Sequence, residues 1–509
     1  MNKDIPYNVL NKFYIGSHAN RIDLPSEFWC PDFQTTLNPH LLMSATSGSG
    51  KTTLLKEIAK YLYYAKKHIF IFDLKGDMII NNDNGERIGN YIEFTAWNSE
   101  YGINPFEFDT GVKEEFLKEI VEDDSKIDKE TRFKLQNSAP KVQVERLIEI
   151  IRKNFLPNMG TIQKDILMYL FSDTYRMKGI IYNEIDTWLN ELPSLEDTLL
   201  LIQQIKVHFG RAIPTRFNFD DSLDYLAEVD KILFEIKTKE IKLTNNEESD
   251  KEELEKDIES LNTKLTEIHK SYCNTTKSSL EEHHIKRLDL NKWFTNNHID
   301  IQKYATKESL RTMDKMASYI SALISAGTFH SKRPPVKSGL NIINLSGLEV
   351  GIQRFIVDIW LGKVFKACKI RGEYEKLKDK TRGEKCDTFF IIDESKLIAG
   401  NTREKNDPYS YLNRIATESR GFGLGMIVAA QSAEHFPPEF LKNFDMQIVL
   451  NTGIADYETV RKAFGLDKQT LDFVQAGRGK ALIKKGKQFI KINVFTPEER
   501  KAYLENNAA

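Results

Sequence analysis

Eight consecutive residues, Ala45-Thr46-Ser47-Gly48-Ser49-Gly50-Lys51-Thr52, have the types and order needed to hold a phosphate. Small residues let backbone N–H groups turn inward around an anion. An apolar run, Leu41-Leu42-Met43, precedes them, and an apolar-periodic segment from Leu54 to Tyr64 follows. That strand, loop and helix order puts the loop at a helix N-terminus, which carries roughly half a positive charge. In such a loop Ser47, Gly48, Ser49, Gly50, Lys51, Thr52 and Thr53 form the binding set for ATP. Lys51 reaches the β- and γ-phosphates, and the Thr52 hydroxyl holds Mg2+. The first position is Ala45 where the standard loop has Gly, a small change in size. The plainer alternative is a Gly/Ser-rich turn before a surface helix.

A second acid-base candidate is Asp393-Glu394, which ends the run Thr388-Phe389-Phe390-Ile391-Ile392. A carboxylate at the carboxyl end of a central strand lies in the crevice where open α/β sheets bind ligands. Asp393 is placed to orient Mg2+ through water and Glu394 to polarise the attacking water. The competing account is a solvated pair at a strand end. Gln431 closes the next strand, where a neutral polar group can sense a γ-phosphate or simply decorate a loop. Arg420 stands before Gly421-Phe422-Gly423. It reads either as a surface side chain or as a rigid Arg reaching a neighbouring subunit's nucleotide. Arg478 to Lys491 holds six basic residues and no acidic one, and Lys363 to Lys385 holds nine basic and four acidic. Each is a solvated face or a contact for phosphate backbones. His283-His284 lacks metal-ligand spacing and reads as an exposed helical pair.

These residues need elements to position them. Strands are expected at His68–Asp73, Leu340–Leu345, Gly425–Ala430 and Met446–Leu450. A hairpin is expected from Ala481–Lys484 and Gln488–Val494 through Lys485-Gly486-Lys487. Helices are expected from Gln353 to Arg371 and from Tyr409 to Ser419. Strands alternating with helices imply an α/β fold with a mainly parallel sheet. Residues 1–40 form a short lead-in, 41–111 the first part of the core, 112–335 a helical insertion containing the acidic segment Glu114 to Glu130, 336–497 the second part of the core and 498–509 a tail. Within the insertion Leu254, Ile258, Leu261, Leu265, Ile268 and Tyr272 make a heptad series. Leu223, Leu226, Leu233, Ile236 and Leu243 follow a looser one, and Thr244 to Asp250 is turn-like. The reading is an antiparallel coiled-coil hairpin over 223–272, each helix roughly 20 residues, against the alternative of two ordinary core helices.

The chain has 509 residues, 40% hydrophobic and 29% charged, which places it among globular rather than disordered sequences. Net charge is -2, so any nucleic-acid site must be a local stripe rather than the whole surface. No apolar run approaches the roughly 20 residues of a membrane span, and no signal-peptide pattern opens the chain. Cys30, Cys273, Cys368 and Cys386 are scattered, which argues against a zinc site or disulfide framework. A reducing cytoplasm is the expected location.

With the phosphate loop, the FFIIDES strand and the segment ESRGFGLGMIVAAQS in hand, the chain resembles the HerA/FtsK superfamily of hexameric motors. HerA-type translocases and conjugative type IV secretion ATPases look most similar, over roughly 35–110 and 335–497. The resemblance implies a RecA-like P-loop ATPase core, a homohexamer and double-stranded DNA in its channel. It also implies that Glu394 is the catalytic Glu, Gln431 the strand-ending Gln, and Arg420, in Glu418-Ser419-Arg420-Gly421-Phe422-Gly423, an arginine finger. Two departures stand out. Residues 1–40 cannot supply the N-terminal β-barrel usual in HerA proteins, and Ser395 stands where Ala is commoner.

Four functions follow as expectations. The first is an ATP-driven DNA translocase or helicase of HerA type. Resemblance adds an effector partner such as a nuclease, in end processing or anti-phage defence. The second is a conjugative type IV secretion motor, since Asp73 to Asp77 (DLKGD) and Gly102 to Phe106 look like segments found there. The third is a nucleotide-gated scaffold that assembles effector enzymes. The fourth, a chromosome-maintenance clamp, is disfavoured. Leu345-Ser346-Gly347-Leu348-Glu349 has Leu348 where its signature loop needs Gly and lies too far before Asp393.

Overall fold

The apolar runs with no period of their own become strands buried on both faces, as strands in the middle of a parallel sheet must be. In chain order the strands are β1 (Phe13–His18), β2 (Glu27–Trp29), β3 (Leu41–Ser44), β4 (His68–Asp73), β5 (Asn90–Glu93), β6 (Leu340–Asn344), β7 (Thr388–Ile392), β8 (Leu424–Ala430), β9 (Met446–Val449), β10 (Lys480–Lys485) and β11 (Gln488–Val494). Every residue of β3, β6, β7, β8 and β9 is buried. The computed structural model describes residues 12–20, 25–31, 38–107, 140–209, 217–245, 251–374, 386–394, 410–432, 436, 438–453, 456–485 and 488–508. Glu114 to Glu130, Ser395 and most of Thr244 to Asp250 lie outside this set, as do the side chains of Leu223, Leu226, Tyr272, His283 and His284.

All eleven strands form one sheet in the order β2-β1-β11-β10-β9-β3-β8-β7-β4-β6-β5. From β9 to β5 the neighbours run parallel; from β2 to β9 they run antiparallel. The expected mainly parallel α/β sheet is therefore present, extended by an antiparallel flank. The hairpin of β10 and β11 is there, paired from Lys480↔Asn493 to Lys485↔Gln488. The lead-in contributes β1 and β2, and β1 pairs with β11. Helix Lys51–Tyr64 buries Leu54, Leu55, Ile58, Ala59 and Leu62 in the same core as β3, β4, β7 and β8. Helix Pro497–Ala508 follows β11, and Arg500 donates to the carbonyl of Tyr14 and pairs with Glu57 at 3.0 Å.

The chain divides into two compact units. The first, Met1–Met159 with Ala322–Ala509, carries the sheet; the second is Gly160–Ser321. Helices Thr161–Met177, Leu195–His208, Phe217–Asn245 and Lys251–Asn296 belong to the second. There Asp173, fully buried, is matched by Tyr304 Oη at 2.7 Å, Lys303 Nζ at 2.6 Å and Arg176 at 2.9 Å.

The two long helices differ from the expected pair of roughly 20-residue rods. They contain 29 and 46 residues, the second running past Tyr272 because no Gly or Pro interrupts Lys251–Asn296. Leu254, Ile258, Leu261, Leu265 and Ile268 are half-buried while the residues between them are exposed, so the heptad marks the packed seam. The matching seam upstream is Val229, Ile232, Ile236, Lys239 and Leu243. Leu233, assigned to it from sequence, is 46% exposed, because the series there slips by one residue to Ile232. Lys239 pairs with Asp257 across the two helices.

Candidate active site

Parallel strands end at one edge, and that edge collects the candidate residues. The phosphate loop leaves β3 after Ser44 and enters the helix at Lys51. Gly48 and Gly50 adopt φ of 78° and 95°, and a Cβ at either would meet nothing within 4 Å. The glycines are needed for backbone conformation, leaving an open cradle in front of the helix N-terminus. Ser49 Oγ donates to the Thr46 carbonyl at 2.6 Å and braces the turn. Ser47, Gly48, Gly50 and Thr53 are exposed, and Ser49 and Lys51 are buried.

Strand β7 delivers the carboxylates. It lies between β8 and β4, with Ile392 level with Val428 and Phe72. Lys51 Nζ sits 2.8 Å from Asp393 Oδ1 and 2.7 Å from Glu394 Oε1. Thr52 Oγ1 donates to Asp393 Oδ2 at 3.1 Å. Gln431, at the end of β8, donates through Nε2 to Glu394 Oε1 at 3.0 Å. A donor the sequence reading did not assign completes the cluster: Lys75 Nζ, 2.7 Å from the same Glu394 Oε1. The other oxygen of Glu394 accepts no hydrogen bond among the described residues.

Both carboxylates are about 95% buried, and the three donors to Glu394 are set against that burial. Burial pushes the Glu394 carboxyl up; hydrogen bonds from Lys51, Lys75 and Gln431 outweigh it and hold it at about 2. Glu394 also has φ 68°, a left-handed conformation costing a non-glycine residue about 1–3 kcal/mol. Such strain persists where surrounding contacts over-determine it, and here three donors fix one oxygen.

The fit to Mg2+ rests on donor chemistry. A threonine hydroxyl and an aspartate oxygen 3.1 Å apart form a hard-oxygen pair beside the phosphate cradle, which suits a hard divalent cation. Asp73, also buried at this edge, is committed elsewhere. Its carboxylate accepts the backbone N–H groups of Lys75, Gly76, Asp77 and Met78.

Arg420 is not in this cluster. It lies in the turn Ser419–Phe422 before β8, whereas Gln431 follows β8. Seven residues of strand separate them, about 20 Å along the sheet. Arg420 is exposed, and among the described residues nothing pairs with it. Its turn, by contrast, is held firmly. Arg371, its side chain 5% exposed, pairs with Asp387 at 2.5 Å and donates to the Phe422 carbonyl at 2.6 Å. Glu418 pairs with Lys369 at 2.6 Å and Arg414 at 3.1 Å.

The two basic stretches part company. In Lys363 to Lys385, Lys363 faces Glu107 and the Trp360 ring, and Lys369 and Arg371 are paired as above. Those cations are at least half-buried and engaged within the chain, and residues 375–385 lie outside the described set. In β10 and β11, Lys480, Lys484 and Lys491 share one sheet face, since Leu482, between the first two, is level with Lys491. Lys480 and Lys491 lie 5.1 and 5.7 Å from the Phe473 ring.

No protein-family model matches the chain. Over 204 residues it is 25% identical to the DNA double-strand break repair helicase HerA of Sulfolobus acidocaldarius, a match spanning 39% of this chain and 37% of that one. The chain thus covers little more than a third of that relative's length. The fold is similar to that of VirB4 of Thermoanaerobacter pseudethanolicus, with a TM-score of 0.56 at 13% identity, covering 96% of this chain and 97% of that one. Among the described residues, no helix is long and apolar enough to cross a membrane. The phosphate loop, the strand-ending carboxylates, the partial HerA match and the shared fold together make the chain similar to P-loop ATPases of the HerA/FtsK superfamily.

Proposed function

We propose that this protein is an ATP-hydrolysing, ring-forming DNA motor of HerA type. The observation that carries the reading is the convergence of Lys51, Thr52, Gln431 and Glu394 at one edge of the sheet. ATP enters with its phosphates in the cradle of residues 47–53, and Lys51 leaves the carboxylates for the β- and γ-phosphates. Thr52 and Asp393 would hold Mg2+, which when bound would neutralise charge on those phosphates. Glu394 takes a proton from the attacking water on its free oxygen as the water oxygen bonds to the γ-phosphorus; the bond from the γ-phosphorus to the ADP oxygen breaks, giving ADP and inorganic phosphate. Gln431 senses the γ-phosphate from the end of β8.

Arg420 acts in trans. A side chain about 20 Å along β8 from Gln431 cannot serve its own subunit's site, and an exposed guanidinium with no partner among the described residues, on a braced turn, suits a neighbour's. That geometry favours a closed ring, six-membered in related motors. Lys480, Lys484 and Lys491 supply a sequence-independent contact to DNA phosphates. The long-helix pair is a docking arm for an effector protein.

The test is ATP turnover with and without duplex DNA. Stimulation by DNA, falling steeply with salt, is expected. Turnover unchanged by any duplex, with no DNA bound, overturns the motor reading. A second reading, a type IV secretion motor, is favoured by the likeness to VirB4 along almost the whole chain. It predicts turnover raised by a membrane-complex partner instead of free duplex. A ring that binds ATP and turns it over only slowly while retaining enzymes would instead be a scaffold.

A further inference from the structure

We propose that Lys75 is a positioning residue for Glu394, one that keeps the carboxylate in place after Lys51 has moved to the nucleotide. The inference rests on the ATPase reading above and deepens it.

Sheet order brings the lysine to the site. Strands β4 and β7 are neighbours with Phe72 level with Ile392, so Asp73 and Asp393 leave the sheet side by side. The chain then turns sharply, and the turn is built from its first residue. Asp73 is 1% exposed, and its two oxygens accept four successive backbone N–H groups: Lys75 at 3.2 Å, Gly76 at 2.8 Å, Asp77 at 3.3 Å and Met78 at 3.0 Å. Gly76 has φ 80°, which favours glycine, and a Cβ there would come within 2.8 Å of Ser346 Oγ. A rigid turn with a fixed exit direction is what a side chain needs in order to be aimed.

Lys75 is aimed at one atom. Its ammonium lies 2.7 Å from Glu394 Oε1, and among the described residues that is its single hydrogen bond. The side chain is 43% exposed, so core packing does not explain its course. Glu394 Oε1 has three donors in all, and two of them differ in what else they must do. Lys51 is required by the phosphates and leaves. Lys75 sits on the far side of β7 from the loop's own strand, separated from β3 by β8 and β7, and stays. Without Lys75, Glu394 would keep only Gln431 while held at φ 68°, and release of that strain would favour swinging the carboxylate away. With it, Oε1 stays anchored by a charged and a neutral donor, and the second oxygen remains directed at water.

The test compares Lys75→Met, Lys75→Arg and the wild-type ring, measuring steady-state ATP turnover, single-turnover hydrolysis and the affinity for ATPγS with Mg2+ by calorimetry. Lys75→Met is expected to lose about 10²-fold in kcat, the scale of a misplaced catalytic group, with KM and ATPγS affinity changed by less than about threefold. Lys75→Arg, which keeps the charge, restores most of the rate. In a Glu394→Gln background Lys75→Met adds no further loss, because it acts through that carboxylate. Full kcat in Lys75→Met, an equal loss in the Glu394→Gln background, or a parallel loss of ATPγS affinity would each overturn the assignment. Hydrolysis missing from the wild-type ring overturns the ATPase reading and this one with it; wild-type turnover matched by Lys75→Met overturns the lysine's role alone.

Discussion

The two ends of β8 differ in every respect that bears on catalysis. At its carboxyl end, buried charges are over-connected: one oxygen of Glu394 takes three donors, and Lys51 holds two carboxylates. At its amino end a guanidinium stands exposed with no partner among the described residues, on a turn braced by Arg371 and Glu418. Under the proposed function, one end is the hydrolytic site; the other is a positioned cation with no partner among the described residues. On that reading, this contrast is the reason to divide catalysis between subunits rather than assemble it within one.

Breaking the exposed end should have the largest effect. Arg420→Ala is expected to lower ring turnover about 10³–10⁵-fold, while its melting midpoint stays near wild type because the side chain is exposed and has no ion pair or hydrogen bond among the described residues. Glu394→Gln breaks the buried end, with a loss of about 10²–10⁴-fold and retention of bound ATP; near-normal turnover would remove its role as base. Arg371→Ala attacks the brace, and should cost about 3 kcal/mol in chemical unfolding, as loss of one partner from a buried pair does. Wild-type stability in that variant would mean the turn holds itself.

A smaller test concerns the core beneath both ends. His40 accepts the Met426 N–H at 3.0 Å, and complete burial lowers its imidazole from 6.5 to about 3. The unfolded chain takes up a proton in that window and the folded chain does not. Stability should therefore fall as pH drops from 6.5 toward 3, by about 1.4 kcal/mol per unit at most. His40→Gln should lose that slope, and an unchanged acid limb would contradict the burial argument. The smallest effect is expected in the long-helix pair, where Leu233→Ala should change stability by less than about 0.5 kcal/mol and Ile236→Ala by clearly more; equal effects would restore the seam read from sequence.

What the sequence disclosed followed the range of the interactions. The phosphate loop and Asp393-Glu394 were legible because each is local, a motif flanked by its own strand and helix. The strand runs through the core were legible because double-sided burial leaves continuous apolar segments. Lys75 was not, since its contact with Glu394 depends on β4 lying beside β7, and strand order is a non-local fact. Arg371 looked like one cation in a basic run, and only the fold reveals that Asp387 and the Phe422 carbonyl claim it. Strands β1, β2 and β5 escaped notice because three to six residues, half of them only partly buried, carry little pattern. At Leu233 the heptad slipped by one residue because Ile232 and Leu233 are both apolar and only packing chooses between them.

The division of labour between subunits is tested most directly by mixing two inactive variants. Lys51→Ala subunits keep Arg420 and cannot engage phosphate; Arg420→Ala subunits engage phosphate and offer no guanidinium. Co-assembled rings should regain ATP turnover, at the interfaces where an intact Arg420 meets an intact Lys51, with a maximum at intermediate mixing ratios. Turnover that stays at the background of the two variants at every ratio, in rings verified to contain both, would contradict the account.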